Sequence, residues 1–348
     1  MHGGDIYRNQ VRLDFSVNVN PLGIPERVRT AMERAAGQCG CYPDIRYEGL
    51  KEGLSRMLGV RPEQILCGNG SSELFFAIVH ALMPRKTVIP VPSFSGYEKA
   101  AGICGGQIAA YPMKEENDFT LDEGMLELLT EDTGLLFLAD PNNPTGKRLE
   151  PGLLRRILEK CRANGISVVL DECFIEFTEG WEHEELSRRV REYPDLIVVR
   201  AFTKIFSVPG VRLGYLVCGN PALLQRIGEH LPEWNLSVFA QAAGLAAVEE
   251  TEYVKRTAGF VAGERAYLAE GLRALGWKVY PSRANFLLTR TEYDIGEEML
   301  RRGILLRDCA DFAGLGKGYY RIAVRQREEN EELLRTLKEV IKEVTAKK

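Results

Sequence analysis

Apolar residues in this chain fall into short unbroken runs separated by stretches of helical spacing. The runs lie near 65–67, 88–91, 135–139, 166–170, 196–200 and 213–218 and are rich in Ile, Leu and Val. Continuous rather than alternating apolarity predicts strands buried on both faces. Between them, segments such as 150–164 and 221–230 repeat apolar residues at helical intervals. Strand–helix alternation of this kind predicts an α/β fold, a mostly parallel sheet sandwiched by helices. After about residue 246 the pattern changes to a long charged helix (250–275), short strands (277–280, 285–289, 319–324) and a final helix (327–346). The expected organisation is a large domain over 45–245 and a smaller α/β domain over 246–348, with the N-terminal segment 1–44 joining the small one. No repeat, low-complexity tract or long linker interrupts it.

Composition narrows the function classes. At 348 residues the chain can bury one large core and one smaller one. The net charge of −4, with both signs mixed along the chain, predicts neither a nucleic-acid footprint nor a polybasic membrane patch. No run approaches the roughly 18 apolar residues of a membrane-spanning helix. The polar start, MHGGDIYRNQ, gives no sign of a secretory leader, so a cytoplasmic location is expected. The eight cysteines are scattered, which fits reduced thiols better than a disulfide framework or zinc site; Cys39-Gly-Cys41 as a redox pair is the lesser alternative. The four histidines form no metal-ligand pattern.

Candidate chemistry concentrates where strands end. Ala201–Gly214 reads AFTKIFSVPGVRLG and carries Lys204 between Thr203 and Ser207, with Arg212 eight residues on. A held, desolvated lysine amine condenses with carbonyls. A hydroxyl and an arginine beside it suit a phosphate. Gly68-Asn69-Gly70-Ser71-Ser72-Glu73 follows a predicted strand and opens a helical pattern, a junction whose free N–H groups bind anions. Asp140-Pro141-Asn142-Asn143-Pro144-Thr145-Gly146 and Asp171-Glu172 close two further strand runs, where ligands of α/β folds gather. Taken singly, each segment also has a plainer reading: a surface Lys/Arg pair, an N-cap turn, or Asx-Pro turn chemistry. A buried Asp171 demands a partner in either case.

In order along the chain, GNGSSE, PSF (92–94), DPNNPTG, DECF, TKIFSVPGVRLG and YRIAVR (320–325) resemble the fold-type I, pyridoxal-phosphate-dependent aminotransferase class I/II family. The resemblance covers essentially the whole chain and implies a seven-stranded sheet with the site in the interdomain cleft of a homodimer. It also assigns roles. Lys204 would hold pyridoxal 5'-phosphate covalently, and Asp171 would pair with its ring nitrogen. Asn143 would bond the ring's 3'-oxygen, and Phe94 would stack on the ring. Gly70, Ser71, Thr203 and Arg212 would hold the phosphate, joined by Tyr47 from the neighbouring subunit. Arg321 would clamp the substrate carboxylate.

Three departures bear on the reaction. Phe174 stands where many aminotransferases carry a tyrosine in DExY. The start His2-Gly3-Gly4-Asp5 and the segment Leu306–Leu315 resemble the family's L-threonine O-3-phosphate decarboxylases, whose product enters cobalamin assembly. Their start resembles HGGN, so Asp5 is itself a departure. By that resemblance, His2 and Arg307 would sit near a substrate phosphate. Arg307, Arg321 and Arg325 carry more positive charge than one carboxylate needs. The expected activity is decarboxylation of a small phosphorylated amino acid. The alternative is transamination of histidinol phosphate or another amino acid with 2-oxoglutarate, which shares the generic motifs. A cofactor-binding regulatory protein fits poorly because Lys204 is intact. A dinucleotide-binding fold fits poorly because no G-x-G-x-x-G follows the first strand.

Overall fold

The computed structural model describes residues 3–181, 186 and 189–346. Its strands, in chain order, are β1 (Leu13–Asp14), β2 (Ile65–Gly68), β3 (Lys86–Val91), β4 (Gln107–Pro112), β5 (Leu135–Ala139), β6 (Ser167–Asp171), β7 (Leu196–Ala201) and β8 (Gly214–Cys218). Then come β9 (Lys278–Val279), β10 (Phe286–Arg290), β11 (Ile304–Leu305), β12 (Arg307–Asp308) and β13 (Tyr319–Ala323). The helices are α1 (Glu26–Ala35), α2 (Glu48–Leu58), α3 (Ser71–Leu82), α4 (Ser95–Gly102), α5 (Pro151–Ala163), α6 (Phe202–Ile205), α7 (Pro221–Gly228), α8 (Val238–Ala247), α9 (Thr251–Ala274), α10 (Gly296–Arg301) and α11 (Arg327–Ala346).

Among the described residues the large sheet has seven strands in the order β2-β8-β7-β6-β5-β3-β4. Every pair is parallel except those made by β8, which runs antiparallel to β2 and β7. The central strands β5, β6 and β7 are buried at every position, as their unbroken apolar runs require. The strand with the weakest run is β4, where two alanines stand between Ile108 and Tyr111. It lies at the sheet edge, its residues exposed or half-buried, and so has few of the bulky Ile, Leu and Val residues of the central strands.

The helices follow from local chemistry. In α5 the Glu150 carboxylate accepts from the N–H groups of Gly152 and Leu153, and Pro151 needs no partner at the first position. The residues it buries, Leu153, Leu154, Ile157, Leu158 and Cys161, fall on one helical face.

A second, antiparallel sheet runs β12-β13-β10-β9, and β1 pairs in parallel with β11. The chain after β1 spans both parts. The Phe15 carbonyl accepts from Ala323 N–H at 3.0 Å, and Asn20 N–H donates to the Lys204 carbonyl at 3.0 Å. Asn20 Nδ2 also donates to the Ile205 carbonyl at 2.7 Å. Residues 13–20 therefore tie the small sheet to α6.

Close backbone packing holds the loop before α3. A Cβ added at Gly214 would lie 2.6 Å from Ser71 N and 2.8 Å from the Gly70 carbonyl carbon. Gly214→Ala is expected to destabilise the fold by about 1–3 kcal/mol through this overpacking. The check is the urea midpoint at unchanged m value; wild-type stability would contradict the packing.

Candidate active site

Parallel neighbours deliver their carboxyl ends to one edge of the sheet. Asp171 is the last residue of β6, Lys204 sits in α6 directly after β7, and Asn143 lies in the turn after β5. A cleft of about 310 Å³ opens there, lined by Asp171, Lys204, Asn143, Phe94, Thr203 and Ser71, with Arg212, Arg307 and Arg321.

The end of the cleft at α3 is built for an anion. Gly70 caps the helix at φ +78°, a conformation that favours glycine, and a Cβ there would meet Arg212 Nη2 at 2.4 Å. Arg212 itself has φ +57°. The first-turn N–H groups of α3, the Ser71 and Thr203 hydroxyls and the Arg212 fork thus surround one small volume. This donor set fits a phosphate.

Asp171 is buried yet satisfied. Tyr97 O–H donates to its Oδ2 at 2.5 Å and Cys173 N–H to its Oδ1 at 2.9 Å. Burial pushes its pKa up, while the Cys173 thiol, Tyr97 and Lys204 oppose the shift. A carboxylate so placed fits a protonated ring nitrogen. Lys204 moves the other way: burial, then the positive charges of Arg321 and Arg212, bring its amine down to about 8, with Cys173 and Asp171 acting against them.

Two arginines come from the small sheet. Arg307 and Arg321 are opposite residues of the antiparallel pair β12–β13. Arg321 donates through Nη1 to Asn143 Oδ1 at 2.6 Å and through Nη2 to the Ser16 carbonyl at 2.8 Å. Its Nε is buried without a partner among the described residues. Burial, reinforced by Arg307, brings its pKa down to about 10. Arg307 lies over the Phe312 ring and pairs with Asp311 at 2.8 Å.

Phe174 also lines the cleft, edge-on to Phe286 at 5.0 Å, and Phe286 lies beneath the Arg321 guanidinium. Its ring supports the clamp by packing.

Some expected residues lie elsewhere. Tyr47 is outside the cleft lining of its own chain, buried with its hydroxyl accepting from Cys67 N–H at 3.3 Å. Arg325 pairs with Glu329 on α11, outside the cleft lining. His2 lies outside the described residues, although Gly3 lines the cleft. Conversely, Ser16, Asn18 and Tyr97 line the cleft without having been expected there. Asn18 is buried with Oδ1 unpartnered among the described residues. The alternating Ser16-Val-Asn18-Val-Asn20 is the signal that could have marked the first two, since it puts three polar side chains on one face.

Residues 11–337 match the profile of the family described as aminotransferase class I and II. The chain belongs to that family. Threonine-phosphate decarboxylase of Salmonella typhimurium is 36% identical over 334 residues, covering 94% of this chain and 91% of that protein. Histidinol-phosphate aminotransferase of Anaeromyxobacter sp. is 34% identical over 333 residues, covering 93% and 89%. The solved histidinol-phosphate aminotransferase of Sinorhizobium meliloti in complex with pyridoxal-5'-phosphate superposes with a TM-score of 0.84 at 25% identity, covering 94% of this chain and 90% of that one. No described helix is long and apolar enough to cross a membrane, and no described cluster of His, Cys, Asp and Glu could hold a metal.

The lowered Lys204 pKa sets a pH dependence. Below about 8 the amine is protonated and inert; above it the amine is neutral and nucleophilic. Reductive alkylation of the apoprotein by a small aldehyde, followed by peptide mass mapping, should modify Lys204 with a midpoint near 8. A midpoint above 10, as for a solvated lysine, would contradict the burial account.

Proposed function

We propose that the protein is a pyridoxal-phosphate-dependent enzyme that decarboxylates L-threonine O-3-phosphate. The observation that carries this reading is the pairing of Arg307 and Arg321 at one register position beside Lys204. A substrate with a carboxylate and a phosphate uses two forks where a simple amino acid uses one. The 36% identity to a threonine-phosphate decarboxylase supports it, against 34% to a histidinol-phosphate aminotransferase.

The cofactor fits the residues present. Ser71, Thr203, Arg212 and the α3 amino end would take its phosphate, Asp171 its ring nitrogen, Asn143 its 3'-oxygen and Lys204 its aldehyde. Bound there, it supplies an aromatic ring that accepts the electron pair of the bond broken at the substrate Cα. The chain's own residues do the rest. Arg321, fixed by Asn143 and Ser16, orients the carboxylate, and Arg307 receives the phosphate in exchange for Asp311. Carbon dioxide leaves, and Lys204 Nζ returns a proton to Cα. Asp171 would hold the ring-nitrogen proton.

The reading includes a homodimer. The exposed rings of Tyr42 and Trp234 meet at 4.8 Å with their planes tilted by 35°, an exposed aromatic pair that supports a covered surface there. Sedimentation equilibrium should return twice the chain mass; a monomer at micromolar concentration would remove this part.

The deciding assay gives the cofactor-loaded enzyme L-threonine O-3-phosphate without any keto acid and follows carbon dioxide. Steady multiple-turnover release is expected. Arg307→Ala should raise KM by about 10–100-fold, the loss of a hydrogen-bonded charge pair. No release, with turnover only from histidinol phosphate and 2-oxoglutarate, would make the enzyme an aminotransferase.

A further inference from the structure

The acid assigned to the ring nitrogen is itself held by a side chain three residues beyond the PSF segment, Tyr97. Tyr97, in the first turn of α4, is 1% exposed, and its ring is fixed on three sides. It stacks on Phe137 at 5.0 Å with the planes 12° apart, and meets Phe75 and Phe94 edge-on at 5.2 Å and 5.5 Å. From that socket its hydroxyl reaches Asp171 Oδ2 at 2.5 Å, while Cys173 N–H occupies Oδ1 at 2.9 Å.

A carboxylate removed from water stays ionised only where donors replace the water. The Cys173 N–H is backbone and fixes one oxygen whatever the side chains are. Of the side-chain donors to this carboxylate, the Cys173 thiol and the Tyr97 hydroxyl, Tyr97 holds the second oxygen at 2.5 Å. Burial and the facing Asp171 push the Tyr97 pKa well above its usual value, so the phenol remains a donor. Tyr97 also touches Phe94, the ring expected to lie on the cofactor face. One side chain therefore contacts both the acid at the edge of the ring and the aromatic on its face.

We propose that Tyr97 is a positioning residue that fixes the Asp171 carboxylate, ionised and in one orientation, against the cofactor's ring nitrogen. The inference rests on the pyridoxal-phosphate reading above and adds a residue to it. It also makes a distinction that a purely structural role would not. If Tyr97 acts through the acid–nitrogen contact, its hydroxyl matters only for a ligand that has the nitrogen.

The test titrates wild-type and Tyr97→Phe apoprotein with pyridoxal phosphate and with an analogue carrying C–H in place of the ring nitrogen. Binding is read by quenching of tryptophan fluorescence, and apoprotein melting temperature checks the fold. Tyr97→Phe should weaken pyridoxal phosphate about tenfold, or ~1.4 kcal/mol, and leave the analogue's affinity unchanged. In an Asp171→Asn background the same substitution should have no further effect. Equal weakening for both ligands, or no weakening for either, would overturn the proposal. Wild-type protein that binds neither ligand would overturn the cofactor reading and this inference with it. Wild-type protein that binds pyridoxal phosphate while Tyr97→Phe binds it equally well overturns this inference alone.

Discussion

Burying opposite charges at the carboxyl edge of the parallel sheet is the constraint on which the rest of the site depends. Asp171 and Lys204 end or follow adjacent strands, and each loses water there. Neither could hold its position on a flexible loop, because an unpaired buried charge costs several kcal/mol. The fold meets the cost with partners that cannot move away: the Cys173 N–H and the boxed Tyr97 hydroxyl donate to Asp171, and Asn143 Oδ1 and the Ser16 carbonyl accept from Arg321. Lys204 is left with a lowered pKa, which makes it a usable amine near neutral pH.

The N-terminal segment extends that constraint to the small sheet. Residues 13–20 pair with β11, bond the Ala323 amide and end on the Lys204 and Ile205 carbonyls. The arginine pair and the lysine are thus held in register by one stretch of chain rather than by two bodies meeting at a surface. Chemistry that depends on which bond at Cα stands perpendicular to a ring needs this fixed spacing.

Much of this was legible in the sequence. Continuous apolar runs marked six strands of the large sheet, and the polar clusters after them marked the lysine, the acid and the anion cup. What the sequence concealed has physical causes. The edge strand β4, QIAAYP, has a weak apolar signal, two alanines between Ile108 and Tyr111, because edge positions are only half-buried or exposed. Arg325 shares the alternation of Arg321, but β13 stops at Ala323 and α11 supplies Glu329 to it. Tyr42 and Tyr47 lie five residues apart with nothing in the pattern to separate them. The turn at Tyr47, with φ 41°, buries one and leaves the other 80% exposed. Tyr97 reads as an ordinary core aromatic because its partner, Asp171, lies 74 residues away.

The central claim is that Lys204 is the covalent anchor of the site. The most direct measurement is borohydride reduction of the pyridoxal-phosphate-loaded protein followed by peptide mass mapping. The account predicts a single reduced phosphopyridoxyl group, on the peptide carrying Lys204. A label on another lysine, or none at saturating cofactor, would contradict it.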